Sequence, residues 1–455
     1  MELSAWTIFT DLGLVAILLL IGSILRAKVK LLQRLFLPAS IIAGIIALTF
    51  GPNGIKIIPF SSEIGTYPDI MNAVVFATLP IAAEKINWRE ITKRVGEMWS
   101  YSQLPMLVMW GGGLLFALLF LNPFWGDMNA GFGLILGAGF VGGYGTAAAI
   151  GESFNLYGWE DATSLAMTSA TVGTVSAIII GLFFIKRATI KGDTKFINSF
   201  DNLSKDMRTG LIAPNSRKKT EMDTVSTMSI DPLMFHVILI LGIAFVAYLL
   251  SDWLGSIMPV SIPVFSISFI LGLIIKWILS VTKSKTYFSK DIITRIGGAS
   301  TDLLIAFGIA SISLPVVAQY LVPLAILFLF GLLMSWFFFS IVSKRFFAEY
   351  WFERGVFTWG WITGGVAQGI ALLRIVDPEF RSKTLDDFGL AYVAISPVDL
   401  LIITFSPILV ANSQSWLFIT ISLGSSAILL ILAKKMGWFS FEIKDDQHQS
   451  KQKII

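Results

Sequence analysis

GFGLILGAGFVGGYGTAAAIGESFNLYG, residues 131–158, is apolar enough for a membrane interior, yet it gathers Gly142, Gly143, Gly145 and Gly151, the residue type that most weakens a helix interior after proline. Two full crossings need about 60 Å of helix, whereas these 28 residues supply about 42 Å at 1.5 Å each. A single crossing would leave the polar segment 186–232 and its nine Lys/Arg outside, against the positive-inside rule. A re-entrant hairpin that enters and leaves on the outer face meets both limits. Irregular backbone at membrane depth survives only inside protein or beside a watery cavity, so this stretch marks a working part of the fold.

The rest of the chain agrees with a membrane reading. Of 455 residues, 55% are hydrophobic and only 14% charged, far more apolar side chain than one soluble core uses. Apolar blocks of about 20 residues predict helical spans near 6–25, 35–50, 70–84, 103–121 and 162–185. A second set falls near 233–251, 263–280, 298–315, 318–342, 388–410 and 416–434. The alternation of a β-barrel is absent. Asp11 before the first block and basic residues after it are the reverse of a cleavable signal peptide, so that block counts as a span. With no cysteine and only His236 and His448, the chain lacks the materials for disulfides, thiolate or Ser-His catalysis, or a His/Cys zinc site. An enzyme is not the expected function.

A second Gly-rich segment, 355–373, follows Lys344, Arg345 and Arg354 and precedes Arg374, Arg381 and Lys383. Its flanks predict a hairpin entered from the cytoplasm. The topology is then eleven crossings with the amino terminus outside, the carboxyl terminus inside, and 33 of 34 Lys/Arg cytoplasmic, Lys56 being the exception. The expected fold is an all-α polytopic membrane protein built from two inverted-topology repeats of five transmembrane helices, each with one re-entrant hairpin. Residues 1–186 form the first repeat with hairpin 131–158, and 187–232 a flexible cytoplasmic connection. Residues 233–410 form the second repeat with hairpin 355–373, and 411–455 hold an extra transmembrane helix and a tail. The helices after the hairpins begin alike, EDATSLAMTSATVG (160–173) and DDFGLAYVAISPVD (386–399), with paired carboxylates and a shared Leu-Ala. Inverted repeats whose broken segments meet near the midplane are the architecture of secondary transporters.

Hairpin tips expose backbone N–H groups to anions and C=O groups to cations. The expected substrate-binding residues are therefore Gly143, Tyr144, Gly145 and Thr146 in the first tip, and Gly364, Gly365 and Gln368 in the second. The Gln368 amide can both donate to a carboxylate and ligate a cation. A sodium ion takes oxygen ligands, and the candidates are Thr171, Thr174, Ser396 and Asp399. Asp399 lies near mid-membrane, where an ionisable group is a functional candidate by default, and Pro397 is expected to open the helix there. Thr168, Ser169 and Thr363 extend the hydroxyl set. Asp302, after Ser300 and Thr301, reads as a helix cap, as do Glu160, Asp161, Asp386 and Asp387. Glu152 sits at the outer mouth and resists the capping reading. Arg374 is an interfacial residue, and Trp336, Phe337, Phe338 and Phe339 are expected to face lipid.

GGYGTAAAIGESFNLYGWEDATSLAMTSATVGTV (142–175) resembles the signature of the bacterial sodium/glutamate symporter family, a GG-x-GT-x-AA hairpin followed by a helix with A-T-x-G. LPASIIAGIIAL (37–48) and FATLPI (76–81) resemble that family's second and third spans. The resemblance covers most of residues 1–410. It implies a homodimer in the bacterial cytoplasmic (inner) membrane and sodium-coupled import of glutamate or a related small carboxylate, driven by an elevator-like movement, with sodium as the coupling ion. It departs at Tyr144, where the family usually has His, and at GWITGGVAQGIALL (360–373), where the family has a Gly-rich stretch ending in a Thr-Pro turn and an Asn. The alternative is a proton-coupled transporter or cation/proton antiporter that uses Asp399 and Asp302. The expected partners are a small anionic substrate and the lipid bilayer, with no nucleic acid.

Overall fold

The computed structural model describes residues 4–35, 37–83, 95–126, 128–196, 209–212, 224–257 and 262–443, and every regular element among them is helical. In chain order, α1 (Ala5–Lys28), the short α2 (Lys30–Arg34), α3 (Ala39–Phe50) and α4 (Tyr67–Ala82) lead to α5 (Gly96–Phe116). Two short helices follow, α6 (Leu134–Phe140) and α7 (Gly143–Asn155), and then the long α8 (Ala162–Lys191). After the connection come α9 (Pro232–Ile257), α10 (Val264–Val281), α11 (Lys290–Ala310), α12 (Leu314–Gln319) and α13 (Leu321–Phe337). The chain continues through α14 (Ser343–Phe346), α15 (Trp351–Gly364), α16 (Val366–Val376), α17 (Thr384–Ala411) and α18 (Ser415–Lys435). Nine helices among the described residues are long and apolar enough to cross a bilayer. The spans expected over 35–50 and 70–84 fall on α3 and α4, of 12 and 16 residues, about 18 and 24 Å at the α-helical rise and so shorter than the hydrocarbon core.

Local chemistry sets the helix ends. The Ser4 hydroxyl accepts the Thr7 N–H to start α1, a bond that satisfies one of the orphan donors of the first turn. Pro38 and Pro263 stand immediately before α3 and α10, where proline's missing N–H costs nothing. Gly192, at φ 76°, ends α8 in the left-handed conformation that glycine adopts without strain. Asp11 is buried in α1 and accepts from Ser61 N at 3.0 Å, Ser61 Oγ at 2.5 Å and the Tyr67 hydroxyl at 2.9 Å. Those bonds tie α1 to the turn that leads into α4.

The helices sort into two packing groups. In the first, α4 packs against α10 and α11, α3 against α1 and α11, and α9 against α10 and α4. Glycines set the spacing: Gly44 of α3 lies against Ala306 and Ile309 of α11, and Gly272 of α10 against Ala77 and Pro80 of α4. In the second group α8 is the spine, packed by α6, α7 and α15, with α5, α16 and α17 around it. The last helix, α18, lies along α5, where Ser422 Oγ donates to Leu107 O at 2.8 Å. Both α5 and α13 end in a π-helical turn, Ala117–Leu121 and Phe338–Val342, some ten residues ahead of the Gly-rich segments.

Four expectations need revision. The α17 helix runs unbroken through Pro397; that proline leaves the Val393 carbonyl without its usual donor, and Ser396 Oγ supplies one at 3.4 Å. Asp302 lies in the middle of α11 and is exposed, so it caps nothing; the cap is Ser289, whose hydroxyl accepts from Ile292 N. Trp336 and Phe337 point outward as expected, but Phe338 and Phe339 are buried, and Phe339 stacks on Phe184 with centroids 4.8 Å apart. Asp387 does more than offset a helix dipole, because it pairs with Arg354 of α15 at 3.0 Å. The connection 187–232 is described only at its ends and at 209–212. Its start docks on the second half, where Lys195 N donates to the buried Glu353 carboxylate at 2.9 Å; the rest, like the basic cluster 85–94, lies outside the described residues.

Candidate functional site

The first Gly-rich segment forms two helices separated by Val141 and Gly142. Gly133 and Gly137 of its first arm lie against Gly113, Leu114 and Trp110 of α5, and Gly131, just before that arm, meets the Phe154 ring near the end of the second. The second arm, α7, runs along α8: Gly151 lies against Thr163, and the Tyr144 hydroxyl donates to Thr171 Oγ1 at 3.2 Å. Both arms therefore lie along the first part of α8, their remote ends near its start and their junction at Val141–Gly142 beside Ser169–Thr171. Gly143 has φ +68°, which an L side chain resists. A Cβ on Gly143 or Gly145 would meet nothing within 4 Å, so this tip borders open space.

The second segment repeats the arrangement. α15 and α16 pack side by side, so closely that a Cβ on Gly360 would lie 2.7 Å from the Gly369 Cα. They are joined at Gly365, whose φ of 100° and ψ of 171° suit glycine alone. This tip also rests on α8. A Cβ on Gly364 would lie 2.8 Å from Thr174 Cα, the Gly173 backbone abuts the Thr363 carbonyl, and Thr174 Oγ1 donates to Gly364 O at 3.4 Å. Trp359 Nε1 locks the pair by donating to Ala177 O at 3.0 Å. The Gln368 side chain covers the tip, 3.3 Å from a Gly364 Cβ and 3.6 Å from a Gly365 Cβ.

The two breaks thus converge on one stretch of α8. Gly139 lies against Ser169 and Ala170, Tyr144 meets Thr171, and Gly364 meets Thr174. Each break offers a helix N-terminus, at Gly143 of α7 and Val366 of α16, whose orphan N–H groups and dipole favour an anion. Each also offers a helix C-terminus, of α6 and α15, whose carbonyls favour a cation. A site that holds an anion and a cation together has both halves of its chemistry here.

Of the expected residues, Gly143, Tyr144, Thr171, Thr174, Gly364, Gly365 and Gln368 come together. Thr146 folds back over Gly142 and is buried. Thr171 also donates to Met167 O at 2.8 Å. Ser396 and Asp399 lie on α17, which packs against α5 and α7; among the described residues no hydrogen bond joins them to Thr171 or Thr174. Asp399 Oδ1 is buried without a hydrogen-bond partner, a costly state for a carboxylate. Sequence reasoning missed Trp359, Gly139 and Gly173 as contact makers. Glycine inside the α8 run was the one signal available, since the partners of Trp359 and Gly173 lie in the opposite half of the chain.

The profile of the family described as sodium/glutamate symporter matches residues 5–365. No curated protein matches the chain. Among solved structures, the sodium proton antiporter from Methanocaldococcus jannaschii aligns over 91% of this chain and 99% of its own, at 16% identity and a TM-score of 0.36, a likeness too low to carry an argument.

Proposed function

Since the chain belongs to the sodium/glutamate symporter family, we propose that it is a sodium-coupled symporter importing glutamate or a related small carboxylate. Its two Gly-rich segments act as re-entrant hairpins of two inverted repeats. The observation that carries the reading is the meeting of both breaks on α8, at Tyr144–Thr171 and Thr174–Gly364. The substrate carboxylate sits at the N-termini of α7 and α16, contacted by the backbone of Gly143, Gly145, Gly364 and Gly365 and by Tyr144, Thr146 and Gln368. Sodium takes hydroxyl and carbonyl oxygens from Thr171 and Thr174 and charge from Asp399, with Ser396 beside it.

The repeat reading is supported by features that recur at matching places. Proline precedes α3 and α10, Gly44 and Gly272 seat those helices on α11 and α4, and a π turn precedes each broken segment. Six helices, α1, α3, α4, α9, α10 and α11, form the fixed scaffold, and the α8-centred group moves against them as the elevator. The chain works as a homodimer in a bacterial inner membrane, amino terminus outside.

Uptake into proteoliposomes tests this. Accumulation of glutamate or another small dicarboxylate should follow an inward sodium gradient at equal pH inside and out, and should stop when choline replaces sodium. Transport that ignores sodium but collapses with the pH gradient would instead favour a proton-coupled carrier or an antiporter built on Asp399 and Asp302.

A further inference from the structure

Glu152 stands near the outer end of α7, where one carboxylate oxygen accepts the Val264 N–H at the start of α10, 2.9 Å away. Its other oxygen, Oε2, is buried without a hydrogen-bond partner, as are Asp69 Oδ1 and both amide atoms of Asn72. Asp69 and Asn72 are three residues apart on α4, hence on one face of it, and both face Glu152. Asn72 is 0% exposed and Glu152 8%. Two carboxylates and one carboxamide from two contacting helices therefore share a buried seam, where Glu152 Oε2, Asp69 Oδ1 and the Asn72 amide oxygen lack hydrogen-bond partners, a state that costs free energy unless a partner fills it.

Among the described residues, no basic side chain of the surrounding helices supplies such a partner. Neither α4 nor α7 carries a basic residue. The one lysine of α10, Lys276, is at its far end and donates to Ala83 O. On α11, which packs against both α4 and α7, Lys290 and Arg295 fall in the first two turns, and Asp302 is exposed further along. α17 has no basic residue, and the basic residues of α8 are confined to its last two turns. Two carboxylates that face each other in a low-dielectric seam repel strongly, and a hard cation with a preference for oxygen ligands relieves that repulsion.

We propose that Asp69 Oδ1, the Asn72 carboxamide oxygen and Glu152 Oε2 form a further sodium site at the seam between α7 and the α4/α10/α11 group. It is separate from the Thr171–Thr174 region and does not depend on which substrate is carried. Because its ligands come from both packing groups, an ion held there ties α7 to α4, and releasing the ion frees α7 to slide.

The test reads binding, not uptake, so its failure is distinguishable from failure of the transport reading. Purified full-length protein in detergent at fixed pH is titrated with radioactive sodium, choline holding the ionic strength. Glu152→Gln and Asn72→Ala should each lose about one bound sodium per chain, with the matching part of the sodium-induced thermal stabilisation. Asp252→Asn, at an exposed position of α9, should bind as the parent does. If Glu152→Gln does not fold, Asp69→Asn takes its place. Unchanged sodium stoichiometry in the folded variants would overturn the site. So would a parent protein stabilised by acidification and not by sodium, since the carboxylates would then share a proton.

Discussion

Gly364→Ala is expected to cut transport severely although it adds a single methyl group. That carbon would lie 2.8 Å from the Thr174 Cα, 2.9 Å from the Ala177 Cβ and 3.3 Å from the Gln368 Cγ. Two of these neighbours belong to the α8 spine and cannot rotate away, so the seam between α8 and α15 must open. Overpacking of this kind costs about 1–3 kcal/mol, equivalent to about a tenfold to hundredfold loss if it falls on substrate binding. The displacement also weakens the Thr174–Gly364 and Trp359–Ala177 hydrogen bonds, which position the second tip. Gly298→Ala on α11, where a Cβ meets nothing within 4 Å, is the control and should transport normally. Initial uptake rates at matched protein density decide the matter: equal rates for Gly364→Ala and the parent would show that the close approach has no part in function.

Asp399→Asn is expected to uncouple transport from sodium while leaving the fold intact. Since Asp399 Oδ1 has no hydrogen-bond partner, the amide deprives no neighbouring donor at that atom. What it removes is the negative charge that a cation would need. Charged hydrogen-bonding contacts contribute about 1.5–3 kcal/mol, so the sodium concentration for half-maximal uptake should rise by about tenfold to hundredfold. The measurement is uptake against sodium concentration at constant pH. A variant with the parent's sodium dependence but an altered response to pH would move Asp399 from sodium coupling to proton transfer.

Much of the fold was legible because two constraints act along the sequence itself. Span length is fixed by bilayer thickness, and Lys/Arg placement records the side of the membrane. Together they marked 131–158 and 355–373 as irregular, and the helices do break, at Val141–Gly142 and at Gly365. The span expected over 35–50 came out four residues too long, because Pro38 delays the start of α3 to Ala39, while α4 has about the expected length but starts three residues earlier, at Tyr67. Pro397 misled for a local reason, since Ser396 restores a donor to the carbonyl that proline orphans.

The candidate site was legible in part. Tyr144, Thr171 and Thr174 lie near one another in sequence and beside glycine, so a local cluster could be read. Trp359 and Gly173 were invisible because their partners come from the opposite half of the chain, as with the Trp359–Ala177 bond across 182 positions. Asp69, Asn72 and Glu152 belong to the same half but were unreadable as a group, because about 80 positions separate them and nothing in α4 announces that it will face the end of α7.

The absence of cysteine from the sequence allows the first tip to be probed with a single thiol. Gly145→Cys places a single thiol in the first tip, where a Cβ meets nothing within 4 Å. Sodium and a transported carboxylate together should slow maleimide labelling of this thiol, by about tenfold at ten times the dissociation constant, because only the unoccupied site reacts. Sodium alone or carboxylate alone should protect less. If labelling proceeds at the same rate in saturating sodium and a carboxylate that this very variant transports, the first tip does not border the substrate site and the central claim fails.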